Sequence, residues 1–525
     1  MNTKRRLISA AMAGALLFSS GWLFAAGPVT LNVHQGADPG TIDPVTNWNY
    51  EVQENMFVPL VGYDAKTGNI YPRGATSWTV SADSKVLTFK IRQGWKWSDG
   101  QPVTAKDYEY AFQTIVDPAT ANPAAWRLSA IKNADDVMGK KLPVAQLGVK
   151  AVDAATLQIE LAKPAAWFLL SLTSTGHAVP KWTREKFGKD WTLPKNIVVN
   201  GPYKVTKWVP DDYLVLEKNA SYYDAAKVQI EKINLYIVPS DSTALSMYEN
   251  GELDQVAVPP QDLDRIRKDP VLSKQLTNVS KMNLNFYWFN TADKPFDNVL
   301  VRKAFAAAID KKTIVNSITK GGEVPMNTAT PPGCFGYVDP KDGIGIPFDP
   351  KQAAAYLAQA GYPNGKGLPA IRLGFGATEI HTNVAQAIQK MWKDNLGVTV
   401  ELKAHEGGGY GTAAQKGEFS VYRWGWGMDY PDAHNIHAEL FHSDVNAGKT
   451  LKSAAYDKLI DSAAVETDMK KRAEMYKQAE KIFIQDEVGA IPLYATAFNA
   501  VTKPYLDALI APVFIKHFWL WSIKK

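Results

Sequence analysis

Apolar residues return at helical spacing along Val384, Ile388, Met391, Trp392 and Leu396, and Gly397 ends the run. The spacing predicts an amphipathic helix with one face in a core. A second stripe, Val301, Phe305, Ala308 and Ile309, predicts a helix through PFDNVLVRKAFAAAIDKKTIV, capped by Asp297. Tyr456, Leu459, Ile460 and Ala463 mark a third, and Met469, Ala473, Tyr476 and Ala479 a fourth. These stripes are expected to be core rather than ligand surface. Between them the period changes. LNVHQG, Leu31 to Gly36, reads as a strand, and VTVELK follows the Gly397 stop as another. VNGPYKVTKWVPDDYLVLEKN alternates apolar and polar positions after Asn200-Gly201-Pro202, which reads as a hairpin. The pattern is mixed α/β.

The densest local signal runs from Val86 to Gln113. Val86, Thr88, Phe89 and Ile91 suit a half-buried strand. Ser98-Asp99-Gly100 carries turn chemistry, because Gly tolerates positive φ and Asp bonds its own backbone. Thr104 stands three residues before Asp107, an acidic form of the capping box. Tyr108, Ala111 and Phe112 then follow at helical spacing. These residues hold a fold and do no chemistry.

That stretch is specific in another way. Trp78, Ser81, Asp83, Phe89, Arg92, Trp97, Asp99, Gly100, Val103, Thr104, Ala105 and Asp107 fall on a pattern that resembles the oligopeptide- and dipeptide-binding proteins of bacterial ABC importers, solute-binding family 5. The likeness continues through NGPY (200–203), NGELD (250–254), PFDNVLVRKA (295–304), TPPG (330–333), FDPKQAAAYLAQAGY (348–362) and NLGVTVEL (395–402), in that order. The resemblance implies an α/β fold: a two-lobed periplasmic binding protein with an extra domain inserted in the first lobe. By analogy the first lobe takes residues 27–61, 187–280 and 498–525, the inserted domain 62–186, and the second lobe 281–497. A chain of this length exceeds one hydrophobic core in any case, and it has no linker-like tract.

The first 26 residues read as a signal peptide: Lys4, Arg5 and Arg6, then a mostly apolar run, then small residues at Ala25-Ala26-Gly27. A membrane anchor is the competing reading, since the run approaches the ~20 residues that span a bilayer. No Cys follows the run, so no lipid anchor is expected, and the periplasm is the expected compartment. The formal charge is +5 and falls to +2 without the three basic residues at the start, so nothing points to nucleic acid. A monomer is expected. The single Cys334 forms no intrachain disulfide. Some members of the family carry a disulfide near the ligand, and the matching positions here are Asn283 and Gly427.

No catalytic motif appears, no enzyme activity is expected, and no cofactor is implied. His434, His437 and His442 are the only local histidine group and give weak support for a metal. The candidate site is Tyr422 to Pro431, YRWGWGMDYP. Gly425 and Gly427 permit close backbone approach, and Trp426 can wall a pocket. Arg423 can fork onto a carboxylate, and Asp429 can accept from an ammonium. The other reading is a buried strand end with a structural ion pair. The resemblance implies that Asp429 meets the α-amino group of a peptide, that Arg423 and Trp426 are ligand-side, and that His381 meets the carboxyl end, with Lys320 as a helper. Family residues are absent at three places: a Trp becomes Gly407, an Arg becomes Ala414, and a Tyr becomes Ala124, with Trp126 two residues on.

The function expected is therefore capture of oligopeptides between closing lobes and delivery to an inner-membrane ABC permease. The alternative is a non-peptide solute, such as a modified sugar, opine or metal chelate, on the same fold. A secreted hydrolase, or a sensor or chaperone of this fold, are more distant readings.

Overall fold

A computed structural model describes residues 29–46, 50–64, 66–445, 450–510 and 516–524. The expected signal peptide lies outside the described residues. Among those described, no helix is long and apolar enough to cross a membrane.

One large sheet organises the molecule. From one edge its strands run Glu401–His405, Arg372–Gly376, Val421–Gly427, Leu276–Phe289, Ala490–Thr502, Gln255–Ala257, Thr30–Gln35, Lys232–Ile237, Tyr213–Lys218 and Tyr203–Val209. The hairpin expected after Asn200 forms the far edge, and LNVHQG is the parallel neighbour of Lys232–Ile237. Two strands are exceptional. Leu276–Phe289 has 14 residues and Ala490–Thr502 has 13, more than twice a typical strand. Their length lets them belong to both halves of the sheet. Leu276 to Ser280 pair with Val501 to Ala497, next to Gln255–Ala257. The register then shifts between Ser280 and Leu284, and pairing resumes at Leu284–Ala495 beside Val421–Gly427. A shift of this kind bends a strand and increases its twist.

Alternation explains how the second half is covered. Leu284, Phe286 and Trp288 point to one face, where Tyr456, Ile460, Tyr476 and Phe483 are buried. Tyr287 and Phe289 point to the other, against Val301, Phe305, Ile388 and Trp392. With both faces apolar, the strand reads as a continuous run rather than an alternating one.

A separate four-stranded antiparallel sheet holds Ala75–Val80, Val86–Ile91, Thr156–Glu160 and Val149–Asp153. Helix Ala105–Val116 follows the expected turn. The Thr104 amide donates to Asp107 Oδ2 at 2.7 Å, so the capping box is made. Burial pushes the Asp107 carboxyl up to about 6.

Three local expectations need correction. The helix expected to start at Asp297 is capped by Asn298, whose side chain accepts from the Leu300 amide at 2.9 Å. It also ends at Ala307, because Asp310 caps a new turn by accepting from Thr313. The strand expected at 398–403 is Glu401–His405, since the Val400 carbonyl is taken by Gln389 instead of a ladder partner. Met469 is 45% exposed at the first turn of its helix and is not core.

Candidate ligand site

Strand Val421–Gly427 carries the site, and its neighbours decide what each residue does. Arg423, Gly425 and Gly427 are two apart and share a face, opposite Tyr287, Asn285 and Asn283. Trp424 and Trp426 point the other way and pack partly against the core. The strand pairs with Leu276–Phe289 along its whole length, but with Arg372–Gly376 only at Val421 and Tyr422. From Arg423 onward, one side of its backbone has no strand partner among the described residues.

Arg423 stands at the start of that open edge. Its Nε donates to Asn285 Oδ1 at 2.8 Å, and Nη2 bonds the same oxygen. The groups that act on its charge are the phenols of Tyr494, Tyr287 and Tyr410. No carboxylate pairs with it among the described residues. Burial therefore disfavours the guanidinium charge and lowers its pKa. A Cβ at Gly425 would lie 3.0 Å from Arg423 Nη2, so a larger residue there presses on the guanidinium.

His381 is brought to the same place. It lies in the first turn of helix Glu379–Leu396, capped by Thr378, and its Nδ1 is 3.2 Å from the Gly376 carbonyl. Burial first, then the Arg423 charge, pull its pKa down to about 4. The ring is neutral at pH 7. With Nδ1–H donating to Gly376, Nε2 is left as an acceptor.

Lys320 is at the rim. It has a left-handed backbone, φ 56°, and its Nζ is 3.1 Å from Asp264. Its carbonyl accepts from Arg267 at 2.8 Å. The 420 Å³ cavity beside it is walled by Pro260 and Asp264 on one side and Thr378, Glu379 and Asn383 on the other.

Asp429 is held at the other end. Its Oδ1 is ion-paired with Arg127, and its Oδ2 accepts from Asn435 Nδ2 at 3.3 Å. The Asn435 carbonyl oxygen takes both the Asp429 amide, at 3.0 Å, and Trp426 Nε1, at 2.9 Å. Ser174 donates to the Asp429 carbonyl at 3.2 Å. Burial keeps the Asp429 pKa above its usual value, although Arg127 opposes this. Glu439 is next in the network. It accepts from Tyr430 and from Asn435, and burial pushes it up to about 8. Trp167 covers the group by stacking on His434, with ring centres 3.9 Å apart.

The candidate residues thus fall into two groups along one strand. Arg423, Gly425 and His381 form one; Asp429, Trp426 and Gly427 form the other; Lys320 is tied to Asp264. Asn283 and Gly427, matched to a disulfide elsewhere in the family, are direct cross-strand partners. Sequence reasoning missed Arg127, Asn435, Ser174 and Asn285. Asn285 is identified only by sheet register, and Arg127 by a contact across most of the chain. The histidine group separates: His434 lies on Trp167, and His437 bonds Tyr456 and Glu480. Among the described residues no three His, Cys, Asp or Glu are placed to hold a metal.

Residues 69–448 match the description of bacterial extracellular solute-binding proteins, family 5 middle. The oligopeptide-binding protein OppA of Bacillus subtilis is 34% identical over 501 residues, covering 93% of this chain and 91% of that one. The probable deoxycholate-binding periplasmic protein YgiS of Escherichia coli is 33% identical over 480 residues, covering 90% and 88%. Among solved structures, the unliganded open form of the periplasmic murein tripeptide-binding protein MppA aligns with a TM-score of 0.81 at 31% identity, covering 95% of this chain and 98% of that one. The fold is accordingly the α/β two-lobed periplasmic binding protein fold, and the chain belongs to family 5 of the bacterial extracellular solute-binding proteins.

Proposed function

We propose that this protein is the periplasmic solute-binding component of an ABC importer, and that it captures oligopeptides between two closing lobes and delivers them to an inner-membrane permease. The observation that carries the reading is the open side of residues 425–427, beyond the Arg423 carbonyl that the Tyr410 hydroxyl already bonds, with the Arg423 side chain at its head. An extended peptide added there gains main-chain hydrogen bonds that do not depend on its sequence. Gly425 and Gly427 let its backbone approach. Arg423 offers the free end of its guanidinium to the terminal carboxylate, and His381 Nε2 accepts from a nearby ligand N–H. Asp429 and its network lie toward the amino end.

We place the hinge at the register shift between Ser280 and Leu284, where the two long strands change partners. Export through the basic and apolar start of the chain, with a mature chain that begins between Ala26 and Pro28, fits the periplasmic names of relatives. We expect the protein to work as a monomer.

A non-peptide solute is the second reading. It is favoured by Gly407 and Ala414, which remove bulk and charge, and by the bile-acid name of one relative. One experiment separates them. Native mass spectrometry of the protein purified from the periplasm should show masses of a mixed peptide population, released on denaturation. A single non-peptide mass in its place overturns the peptide reading.

A further inference from the structure

A 600 Å³ cavity lies where three segments meet, residues 309–312, 325–328 and 337–348. Met326, Val338, Ile344, Pro347 and Phe348 give it apolar walls, and Phe348 is 43% exposed. Its size is ordinary for a small-molecule site. None of its lining residues belongs to the candidate ligand site. Lys311 lines it and is only 6% exposed. The Lys311 Nζ donates to Asn327 Oδ1 at 2.9 Å and reaches the Ile346 carbonyl at 3.5 Å, both neutral acceptors. No carboxylate acts on this amine among the described residues, and burial alone lowers its pKa to about 7. The acids that adjoin the lining segments are engaged elsewhere. Asp310 holds Thr313 through both its oxygens, Asp339 accepts from the Lys341 amide, and Asp342 pairs with Lys477. Lys312 adds an exposed positive charge to the wall, and Thr328 and Tyr337 add hydroxyls.

We propose that this cavity is a second ligand site, for a monocarboxylic acid with an apolar body, whose carboxylate pairs with Lys311. A buried amine is costly to charge without a counter-ion, and proteins pair such groups or leave them neutral. Here the chain supplies no acid, and the space beside the amine is open. A ligand carboxylate favours the ammonium form and pairs with it. Its hydrocarbon part leaves water against Met326, Val338 and Phe348. An amide of the same shape buries the same tail but brings no charge, so it leaves Lys311 as it was. The two parts of the site thus ask for different things of one molecule, an anionic head and an apolar body.

The test is calorimetric titration of the full mature protein with octanoate and with 4-phenylbutyrate, each beside its primary amide. The acids should bind more tightly than their amides by about tenfold or more. Equal affinity for acid and amide, or no binding of either acid, overturns the proposal. Lys311→Met keeps the bulk and removes the amine. It should weaken the acids by about tenfold or more and bring acid and amide together; an unchanged acid preference overturns the proposal. If Lys311→Met does not fold, proton uptake by the wild type decides. At about pH 8 the amine is mostly neutral, so pairing with a carboxylate draws in a proton, and the binding heat then depends on the ionisation heat of the buffer. Acid binding with no such dependence overturns the proposal. Arg423→Gln should leave acid binding unchanged. Loss of acid binding in that variant puts the acid on the strand 421–427 site and overturns the proposal. The peptide reading stands or falls separately, since no peptide enters these measurements.

Discussion

Replacing Arg423 with Gln removes one buried charge and little volume. In the native protein Arg423 Nε and Nη2 spend one edge of the guanidinium on Asn285 Oδ1. The remaining end carries Nη1 and the outer Nη2 hydrogen, a two-donor fork that matches a carboxylate. No protein carboxylate fills it among the described residues, and three phenols line the space. A peptide carboxylate seated there forms a charge-assisted pair. Truncating one partner of such a pair costs 2–5 kcal/mol. The half-buried setting of Arg423 places the expectation at about 3 kcal/mol, or roughly a hundredfold in Kd, since 1.4 kcal/mol is tenfold. The fold should be unharmed. Gln keeps a donor for Asn285, and the variant loses a half-buried guanidinium that no carboxylate pairs among the described residues.

Titration calorimetry with peptide acids and their C-terminal amides checks the assignment. Amidation should weaken binding to the wild type about as much as Arg423→Gln does. Applied to the variant, it should add little, since both changes remove the same pair. Thermal melts without ligand should be unchanged or slightly raised. Equal binding of acid and amide by the wild type refutes the reasoning, and so does a variant that loses both ligands alike.

Three other outcomes follow from the framework. Arg472 and Asp432 are both fully buried and joined by two contacts of 2.7 Å, so Arg472→Met should cost about 3–5 kcal/mol in urea unfolding, by leaving Asp432 unpaired. Burial lowers the Lys311 amine to about 7, below its unfolded value, so the unfolded chain binds more protons from about pH 7 to 10.5 and stability rises with pH across that window; Lys311→Met should flatten the rise, measured as Tm against pH. A Cβ on Gly201 would lie 2.5 Å from the Met56 carbonyl carbon, so Gly201→Ala should lose about 1–3 kcal/mol, seen as a lower urea midpoint.

The parts of the fold legible in the sequence are those made by neighbours in sequence. Helix Glu379–Leu396, with its Thr378 cap and Gly397 stop at φ 70°, follows from spacing and capping alone. The Thr104–Asp107 box and the hairpin after Pro202 are equally local. The two long strands were not legible. Leu284 to Phe289 is buried on both faces, so alternation, the usual mark of a strand, is absent. The candidate site divides on the same line. Composition picks out Val421–Gly427, because Gly, Trp and Arg together are unusual, whereas the partners of those residues come from remote segments. Nothing near Arg127 in sequence announces Asp429, and nothing near Lys320 announces Asp264.

Those remote contacts decide how the cleft is held. Lys320–Asp264 and Arg127–Asp429 each join parts of the chain far apart in sequence, but they are not equal. The first pair is 45% and 55% exposed, and ion pairs in such surroundings contribute about 0–1 kcal/mol. Water can replace either partner at little cost, so this contact biases the two sides only weakly. The second is mostly buried, backed by Asn435 and Ser174 on the same residue and by Trp167 over His434. Separating it exposes two charges and an aromatic stack together. A ligand shifts a conformational balance only by the difference in its contacts between the two states. A ligand that keeps the Arg127–Asp429 contact adds its own bonds to those already holding that end together. One that breaks the contact must first make up what it has lost. Of the two, the Arg127–Asp429 contact is therefore the costlier to separate and the Lys320–Asp264 contact the cheaper.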